Sequence, residues 1–273
     1  MIVGKLIGKG ATADVYNWSE NSIIKIFKEH EPDELIEREI HNTIALENCS
    51  FNYPKFIQQL KWEGKRAVIY EKVTGDSMLN QIERSPLNYK KIARKLAHLH
   101  LKVHENQVEG IQEQYVYFKK RISYTRDLTD EKKEKLFKLI DMMPVGNNLC
   151  HGDFHPDNII CSEKGDYIID WADCCIGNRC ADVARTILTL RTASIPDHTP
   201  KFKRKIIQFI RNRFSKEYIN EYLRLSELTK EEIIQWNVIV AAFRLCGAAG
   251  DEKSVILKII NSYFEQDSKS FES

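Results

Sequence analysis

The stretch that decides the fold is His151-Gly152-Asp153-Phe154-His155-Pro156-Asp157-Asn158, followed by Asp166-Tyr167-Ile168-Ile169-Asp170. Four residues separate Asp153 from Asn158, and Asp170 ends a hydrophobic run. Transfer of a phosphoryl group needs a carboxylate that orients and deprotonates the attacking hydroxyl, and oxygen ligands for magnesium on the nucleotide phosphates. The residue types match these requirements, with Asp153 as the candidate catalytic base and Asn158 and Asp170 as the candidate Mg²⁺ ligands.

The same segment resembles the catalytic loop of the aminoglycoside phosphotransferase and choline kinase-like family, relatives of protein kinases that phosphorylate small molecules. That family has His-Gly-Asp where protein kinases have His-Arg-Asp, and this chain has His151-Gly152-Asp153. Asp170 is followed by Trp-Ala rather than Phe-Gly, no Ala-Pro-Glu follows, and only eleven residues separate Asp170 from Asp182. The interval is too short for the usual activation loop of a protein kinase.

The resemblance implies an α+β, bilobal protein-kinase-like fold. A small antiparallel β-sheet lobe with one helix is expected at residues 1–73, and a larger α-helical lobe at 74–273. Asp182-Val183-Ala184 resembles the family's Asp-Leu-Ala, in which the Asp at a helix start braces the catalytic loop. An ordinary helix N-cap is the alternative role for Asp182.

Ile7-Gly8-Lys9-Gly10-Ala11-Thr12-Ala13-Asp14-Val15 resembles a glycine-rich nucleotide loop, although Ala13 stands where kinases have a third glycine. Gly8 and Gly10 would let the backbone approach phosphate closely, and Val15 would lie over the adenine. Two nearby glycines in a plain hairpin turn are the alternative.

A lysine interrupts the apolar strand Ile23-Ile24-Lys25-Ile26, as in the kinase strand whose lysine contacts the α- and β-phosphates. An outward-facing lysine on an edge strand is the alternative. Its expected partner is a glutamate on the next helix, where Glu39 lies about 50° and Glu37 about 110° from the centre of the apolar stripe. Glu39 is therefore favoured, and two solvated charges are the alternative.

By analogy with kinases, the backbone of Glu71 and Val73 in the connector after this lobe is expected to hydrogen-bond the adenine. Strands are predicted at 2–7, 14–18, 22–27 and 66–71, and a helix capped by Asp33 at 33–46. From Leu87 onward the chain is predicted to be mainly helical, and this part includes helices at 131–142, 182–193, 200–225 and 230–265. The segment 150–170 is expected to hold the only strands of the second half.

The bulk composition excludes several classes of protein. A net charge of +2, from 41 basic and 39 acidic residues, argues against a nucleic-acid binder with a broad basic face. No apolar run approaches the roughly 18 residues of a membrane span. The seven cysteines are odd in number and show no Cys-x-x-Cys, so reduced thiols and a cytoplasmic location are expected. His100 and His104 have a metal-compatible spacing, but a packing or hydrogen-bonding role is favoured because no His-Glu-x-x-His is present.

The sequence thus predicts an ATP- and Mg²⁺-dependent phosphotransferase that acts on a hydroxyl of a small molecule, most readily an aminoglycoside-like one. Choline, sugars and macrolides are alternative acceptors, and a protein kinase or a non-catalytic nucleotide-binding module is a more distant reading. A cationic acceptor is favoured by acidic and aromatic residues, whereas three arginines would suit an anion. The first set is Asp157, Asp173, Asp251, Glu252, Trp236 and Tyr263, and the arginines are Arg179, Arg191 and Arg244. The oligomeric state has no signature in the sequence.

Overall fold

The structure is a computed structural model that describes residues 3–195 and 199–271, with side chains given except at 267–271. The chain begins with an antiparallel sheet region of five strands in the order β1-β2-β3-β5-β4. One helix, α1, connects β3 to β4. The bounds are β1 Leu6–Lys9, β2 Ala13–Asn17, β3 Ser22–Phe27, α1 Asp33–Ala45, β4 Phe56–Trp62 and β5 Lys65–Glu71.

Three details of this region differ from the sequence prediction. The first strand starts at Leu6 and runs to Lys9, so Gly8 lies in a strand and not in the turn. Strand β4 was not predicted, because most of its residues are polar or exposed. Asp33 is not the cap of α1, because Pro32 holds that position without a side-chain hydrogen bond and the Asp33 carboxylate pairs with Arg66.

The rest of the chain is mainly helical, as predicted. The long helix α3 buries its apolar stripe, with Ile92, Leu96 and Val103 inside the main core. The bounds are α2 Met78–Arg84, α3 Tyr89–His104, α4 Gln114–Tyr124, α5 Asp130–Met142, α6 Arg179–Thr192, α7 Lys201–Leu225, α8 Lys230–Ile234, α9 Asn237–Leu245 and α10 Gly250–Phe271. The segment 230–265 is therefore split among three helices.

Short strands hold the loops of this helical region in place. They are β6 Asp76–Ser77, β7 Asn148–Cys150, β8 Ile159–Ser162, β9 Gly165–Ile168 and β10 Cys175–Gly177. The expectation that 150–170 holds the only strands of this half was wrong, because β6 pairs with β8 and β10 pairs with β7. These pairings fix both ends of the segment that carries Asp153 and Asp170.

Helix α1 joins the sheet region to the helical region. Asn42 Nδ2 donates to the Trp171 carbonyl at 2.9 Å, and Arg38 Nη2 donates to the Cys174 carbonyl at 2.8 Å. The Arg38 guanidinium also stacks on the Tyr117 ring, 3.2 Å from its centre. The helix that carries Glu39 is thus fastened directly to the chain that follows Asp170.

The seven cysteines are all free thiols. Within the described ranges, no helix is long and apolar enough to cross a membrane.

Candidate active site

Residues 151–158 form a loop between β7 and β8 whose shape is set by one buried histidine. The His151 ring donates from Nε2 to the Ile169 carbonyl at 3.0 Å and accepts the Asp153 amide at Nδ1 at 3.2 Å. Burial lowers the pKa of His151, so the ring is neutral and can fill both roles. The ring ties the residue before Asp170 to the backbone of Asp153.

The loop is braced from below by Asp182, as the resemblance implied. Its carboxylate accepts the amides of His151 at 2.6 Å and Gly152 at 2.9 Å, while Asn178 caps the start of α6. The N-cap alternative for Asp182 is therefore wrong. Gly152 has φ +80°, and a Cβ there would lie 2.3 Å from the Asp173 carbonyl, so only glycine fits.

Two buried histidines complete the environment of Asp182. His100 and His104 donate from Nε2 to its carboxylate at 3.0 and 3.2 Å and accept the hydroxyls of Tyr218 and Tyr222 at Nδ1. Burial lowers the pKa of His100 to about 3, so it is neutral. The three side chains lie close enough together to hold a metal, but hydrogen bonds already use every ring nitrogen. Their role is the hydrogen-bonding one that was expected.

We expect Asp182→Asn to lower the free energy of unfolding by about 2–4 kcal/mol, because its NH₂ group would face N–H donors and leave at least one unsatisfied. Burial raises the pKa of Asp182, but His100 and His104 outweigh burial and hold it well below its usual value. The stabilisation is thus complete at neutral pH and is lost as pH falls through the depressed folded pKa. Urea unfolding at neutral pH measures the change.

The control is Asp141→Asn, the same substitution at an exposed carboxylate that pairs with Lys119. It should change stability by less than about 1 kcal/mol, as surface ion pairs do. Equal losses in the two variants would show that Asp182 does not brace the loop.

Asp153 projects from this braced loop with its side chain 29% exposed. Arg185 Nη2 lies 3.0 Å from Oδ1, and His155 Nε2 lies 3.3 Å from Oδ2. Burial raises the pKa of Asp153, but Arg185 and His155 outweigh it and hold the pKa well below its usual range. The carboxylate is therefore ionised and can accept a hydrogen bond from an incoming hydroxyl.

Arg185 is a site residue that the sequence reasoning missed. Its side chain is buried on α6, where Nη1 also bonds Thr189 Oγ1. The available signal was its position three residues after Asp182, because residues three apart share a helix face. Helix α6 thus carries both residues: Asp182 binds the backbone of the loop, and Arg185 binds the Asp153 carboxylate.

Asn158 and Asp170 lie on either side of one backbone hydrogen bond, from the Ile169 amide to the Asn158 carbonyl at 3.0 Å. Asn158 Nδ2 donates to the Asp153 carbonyl at 2.9 Å, which leaves its amide oxygen as a ligand. Asp170 has φ +66°, a backbone conformation that is costly for a residue other than glycine and is often found at functional sites. An amide oxygen and a 46% exposed carboxylate are the hard oxygen donors that Mg²⁺ prefers, so the residues fit that ion.

On the sheet, the glycine-rich segment and the lysine fall in one cross-strand row. Gly8 pairs with Val15, Val15 with Lys25, and Lys25 with Val68. Directly paired residues share a face, so the row faces the same side as the buried Val68. Because β3 is a central strand, the edge-strand alternative for Lys25 is wrong.

The turn after this row is held by its own backbone. The Gly10 amide donates to the Ala13 carbonyl at 2.9 Å, and a Cβ on Gly10 would lie 2.9 Å from that oxygen. Lys28 Nζ donates to the carbonyls of Gly10 and Ala11 at 2.8 and 2.7 Å. With these carbonyls engaged from one side, the tip of the turn has a defined shape.

Of the two glutamates weighed for Lys25, Glu39 makes the contact. Lys25 Nζ lies 2.6 Å from Glu39 Oε1 and 3.2 Å from Asp170 Oδ1, whereas Glu37 pairs with Arg66. Tyr70 donates its hydroxyl to the same Glu39 oxygen at 3.1 Å. Burial lowers the pKa of Lys25, but Asp170 and Glu39 outweigh burial and raise it above its usual value, so the lysine is charged.

Glu71 is the last residue of β5, and the connector follows it. The Glu71 amide donates to the Lys55 carbonyl and the Lys72 amide to the Asn21 carbonyl, both at 2.9 Å. Within the described residues the Val73 amide has no acceptor. The connector therefore offers a free backbone donor beside the sheet.

Comparison with solved structures shows the protein-kinase-like fold. Aminoglycoside phosphotransferase APH(4)-Ia is 9% identical with a TM-score of 0.66, covering 97% of this chain and 95% of that chain. Amicoumacin kinase hAmiN, in complex with AMP-PNP, Ca²⁺ and Ami, is 15% identical with a TM-score of 0.61, covering 97% and 88%. Choline kinase from Cryptosporidium parvum Iowa II is 14% identical with a TM-score of 0.53, covering 99% and 90%.

No curated protein matches the sequence. The model of the family described as "APH: Phosphotransferase enzyme family" matches residues 3–200, which is well over half of the sequence. The chain therefore belongs to the phosphotransferase enzyme family, and it is a kinase-type phosphotransferase.

Proposed function

We propose that the protein transfers the γ-phosphoryl group of ATP, with Mg²⁺, to a hydroxyl group of a small molecule. The contact between Lys25 Nζ and Asp170 Oδ1 at 3.2 Å is the observation that carries this proposal. It joins the glycine-lysine row of the sheet to Asp170, whose neighbour Ile169 is hydrogen-bonded to Asn158 and to the His151 ring of the catalytic loop. Together these groups would supply a cation for phosphates, oxygen ligands for a metal and an ionised carboxylate for the acceptor.

On this proposal Asp153 is the catalytic residue. Its carboxylate accepts the hydrogen bond of the acceptor hydroxyl, aligns the oxygen with the γ-phosphorus and receives the proton as the bond to phosphorus forms. Its depressed pKa makes it a weak base for a free alcohol. Proton transfer is therefore expected late, when the attacking oxygen has become acidic, and positioning is its main contribution.

Asn158 and Asp170 are proposed to hold Mg²⁺, which when bound neutralises charge on the nucleotide phosphates. Lys25, kept in place by Glu39, is proposed to bind the α- and β-phosphates. The Lys25 ammonium also contacts the carboxylate of Asp170, the residue whose backbone is left-handed.

The sheet is proposed to bind the rest of the nucleotide. Gly8 and Gly10 would cover the phosphates without a Cβ in the way, and Val15 would contact the adenine. Backbone groups of Glu71 and Val73 would hydrogen-bond its edge, with the free Val73 amide as donor. The division into lobes at residues 73 and 74 is part of this proposal.

Lys25→Ala and Glu39→Ala are each expected to weaken ATP binding by about tenfold or more, since a hydrogen bond to a charged group is worth about 1.5–3 kcal/mol. The double variant should be little worse than Lys25→Ala alone, because Glu39 acts through the lysine. ATP affinity measured by calorimetry with Mg²⁺ present gives all three values.

Glu37→Ala is the matched control, on the same helix and paired with Arg66 instead. Its effect should be small and should add to that of Lys25→Ala. Stronger coupling of Lys25 to Glu37 than to Glu39 would contradict the assigned pair.

The direct test is Mg²⁺-dependent ATP consumption with a panel of aminoglycosides, choline, sugars, macrolides and generic protein substrates. A small-molecule acceptor should stimulate ATP consumption, and proteins should not. Helix α6 starts at Arg179, nine residues after Asp170, which leaves no long loop for a polypeptide acceptor. Stimulation by proteins alone would reject a small-molecule acceptor. Binding of Mg-ATP without consumption of ATP would favour the non-catalytic nucleotide-binding module.

The aminoglycoside-like acceptor stays a prediction, with the aminoglycoside complexes among similar structures as its support. One of these is a gentamicin complex of APH(2")-IIa, 17% identical with a TM-score of 0.57, covering 97% of this chain and 87% of that chain. The cytoplasmic location also stays a prediction.

A further inference from the structure

Three arginine side chains lie near Phe243 and Gly247 of the helical region, and one of them contacts the catalytic loop. The guanidinium carbons of Arg121 on α4 and Arg185 on α6 lie 5.5 and 5.9 Å from the centre of the Phe243 ring. A Cβ placed on Gly247 would lie 3.7 Å from both Arg121 Nη2 and Arg244 Nη1. We call Arg121, Arg185 and Arg244 the arginine cluster, which three separate helices build at one place.

The arginine cluster lies next to Asp153. Arg185 is bonded to that carboxylate at 3.0 Å. Arg244 directly follows Phe243, over whose ring the Arg185 guanidinium lies. Burial lowers the pKa of Arg244, but Glu252, and then Asp153 and Asp173, outweigh burial and raise it. A molecule that presents a hydroxyl to Asp153 would therefore have the arginine cluster beside it.

The carboxylates of this neighbourhood already have partners. Glu252 receives two hydrogen bonds from Arg244, at 2.8 and 2.9 Å. Asp173 accepts the Tyr117 hydroxyl at 2.5 Å, and the exposed Asp251 pairs with Arg204. Of the acidic residues that favoured a cationic acceptor in the sequence, Glu252 and Asp251 are thus paired with arginines, Asp173 is hydrogen-bonded to a hydroxyl, and Asp157 is exposed. The aromatic Trp236 is buried in the core.

Arg121 and Arg244 in this neighbourhood have N–H donors without a hydrogen-bond partner. In the part of the chain that the structure describes, Arg121 makes no hydrogen bond or ion pair, and its Nε is buried. Arg244 uses Nε and Nη2 for Glu252, which leaves Nη1 without a partner among the same residues. A buried donor without a partner costs free energy unless a bound group satisfies it.

We propose that Arg121 and Arg244 bind an acidic group of the acceptor, so that the substrate is a hydroxy compound carrying a carboxylate or a phosphate. This inference rests on the proposed phosphoryl transfer and names an acidic substrate class, in place of the cationic, aminoglycoside-like acceptor that the sequence predicted. Planar guanidinium groups match the oxygen pairs of carboxylate and phosphate. An acceptor with an ammonium group at this position would instead meet two cations. Arg185 holds Asp153 and is a positioning residue.

The test offers one carbon skeleton in four charge forms: sorbitol, gluconate, sorbitol 6-phosphate and glucamine. A second skeleton is offered as 1,3-propanediol, 3-hydroxypropionate, 3-hydroxypropyl phosphate and 3-aminopropanol. The full-length protein is assayed for ATP consumption with Mg²⁺, and each compound is also titrated calorimetrically. We expect the carboxylate or phosphate members to bind most tightly and to stimulate most, and their comparison identifies which acidic group fits.

Arg121→Gln and Arg244→Gln should each raise the KM or Kd of the anionic compounds by at least about tenfold, with little change in kcat and in the KM for ATP. Lys138→Gln, at an exposed lysine of α5, is the charge-matched control and should change neither value. If both arginine variants fold normally and bind the anionic compounds as tightly as the unchanged protein does, the proposal is wrong. Tighter binding of the neutral or ammonium members, or no binding of any anionic member, would also overturn it.

The measurements distinguish failure of the anionic acceptor from failure of the proposed phosphotransferase function. Mg-ATP affinity is measured without acceptor, so a protein that binds Mg-ATP but prefers glucamine rejects only the anionic acceptor. A protein that does not bind Mg-ATP rejects the proposed function, while calorimetry with gluconate and sorbitol 6-phosphate still tests the arginine cluster.

Discussion

Asp153→Asn is expected to lower kcat by at least about a hundredfold, since general-base groups contribute 10²–10⁴ in rate. The asparagine keeps the size of the side chain and an oxygen that can accept from Arg185, so the loop should keep its shape. The affinity for ATP should change little, because the Asp153 carboxylate contacts Arg185 and His155 and not Lys25. Steady-state kinetics with a stimulating acceptor checks both values.

Asp157→Asn is the control, because Asp157 is exposed in the same loop. Its kcat should stay within about twofold of the kcat of the unchanged protein, as expected for a surface substitution away from special features.

The depressed pKa of Asp153 also predicts that activity does not fall near the ordinary Asp pKa of about 4 as pH is lowered. Nearly normal kcat in Asp153→Asn would remove this residue from its assigned role.

Asp170→Asn is expected to abolish most of the increase in ATP affinity that Mg²⁺ provides, by more than about tenfold. A carboxylate ligand is replaced by a neutral amide, while Lys25 keeps its bond to Glu39 and can still hold phosphate. Affinity for ATP without Mg²⁺ should therefore fall much less. Titration of the protein with ATP, with and without Mg²⁺, separates the two effects.

Asp173→Asn is the matched control, three residues further along the chain. Asp173 accepts the Tyr117 hydroxyl and lies beside the arginine cluster, so the control should keep the Mg²⁺ effect on ATP binding. If the two variants lost the Mg²⁺ effect equally, Asp170 would not be the metal ligand.

Much of the fold could be predicted from the sequence because its signals are local. Strand β3 and helices α1 and α5 were placed within a few residues, the strand by its β-branched and aromatic residues and the helices by apolar periodicity. The choice of Glu39 over Glu37 also followed from periodicity, since the residue nearer the apolar stripe faces the sheet. By contrast, β4 is an exposed edge strand, so the burial that usually produces a strand pattern is missing.

Contacts between segments that are far apart in the sequence could not be predicted. Arg185 meets Asp153 only because α6 packs under the loop, and Arg121 and Arg244 meet only because α4 and α9 are neighbours. Charged residues on helices look alike in sequence whether they are solvated or buried. The expectation of a cationic acceptor rested on such residues, and the sequence does not show that Glu252 pairs with Arg244 or that Asp173 accepts the Tyr117 hydroxyl.

The fastening of α1 by Arg38 and Asn42 has a consequence for control of the enzyme. Kinases that are switched by their environment swing the helix carrying this glutamate away and so break its bond to the lysine. Here such a swing would also have to break the bonds to the Trp171 and Cys174 carbonyls and the stacking on Tyr117. We therefore expect a permanently assembled enzyme, whose output follows the supply of nucleotide and acceptor and not a covalent on-off signal.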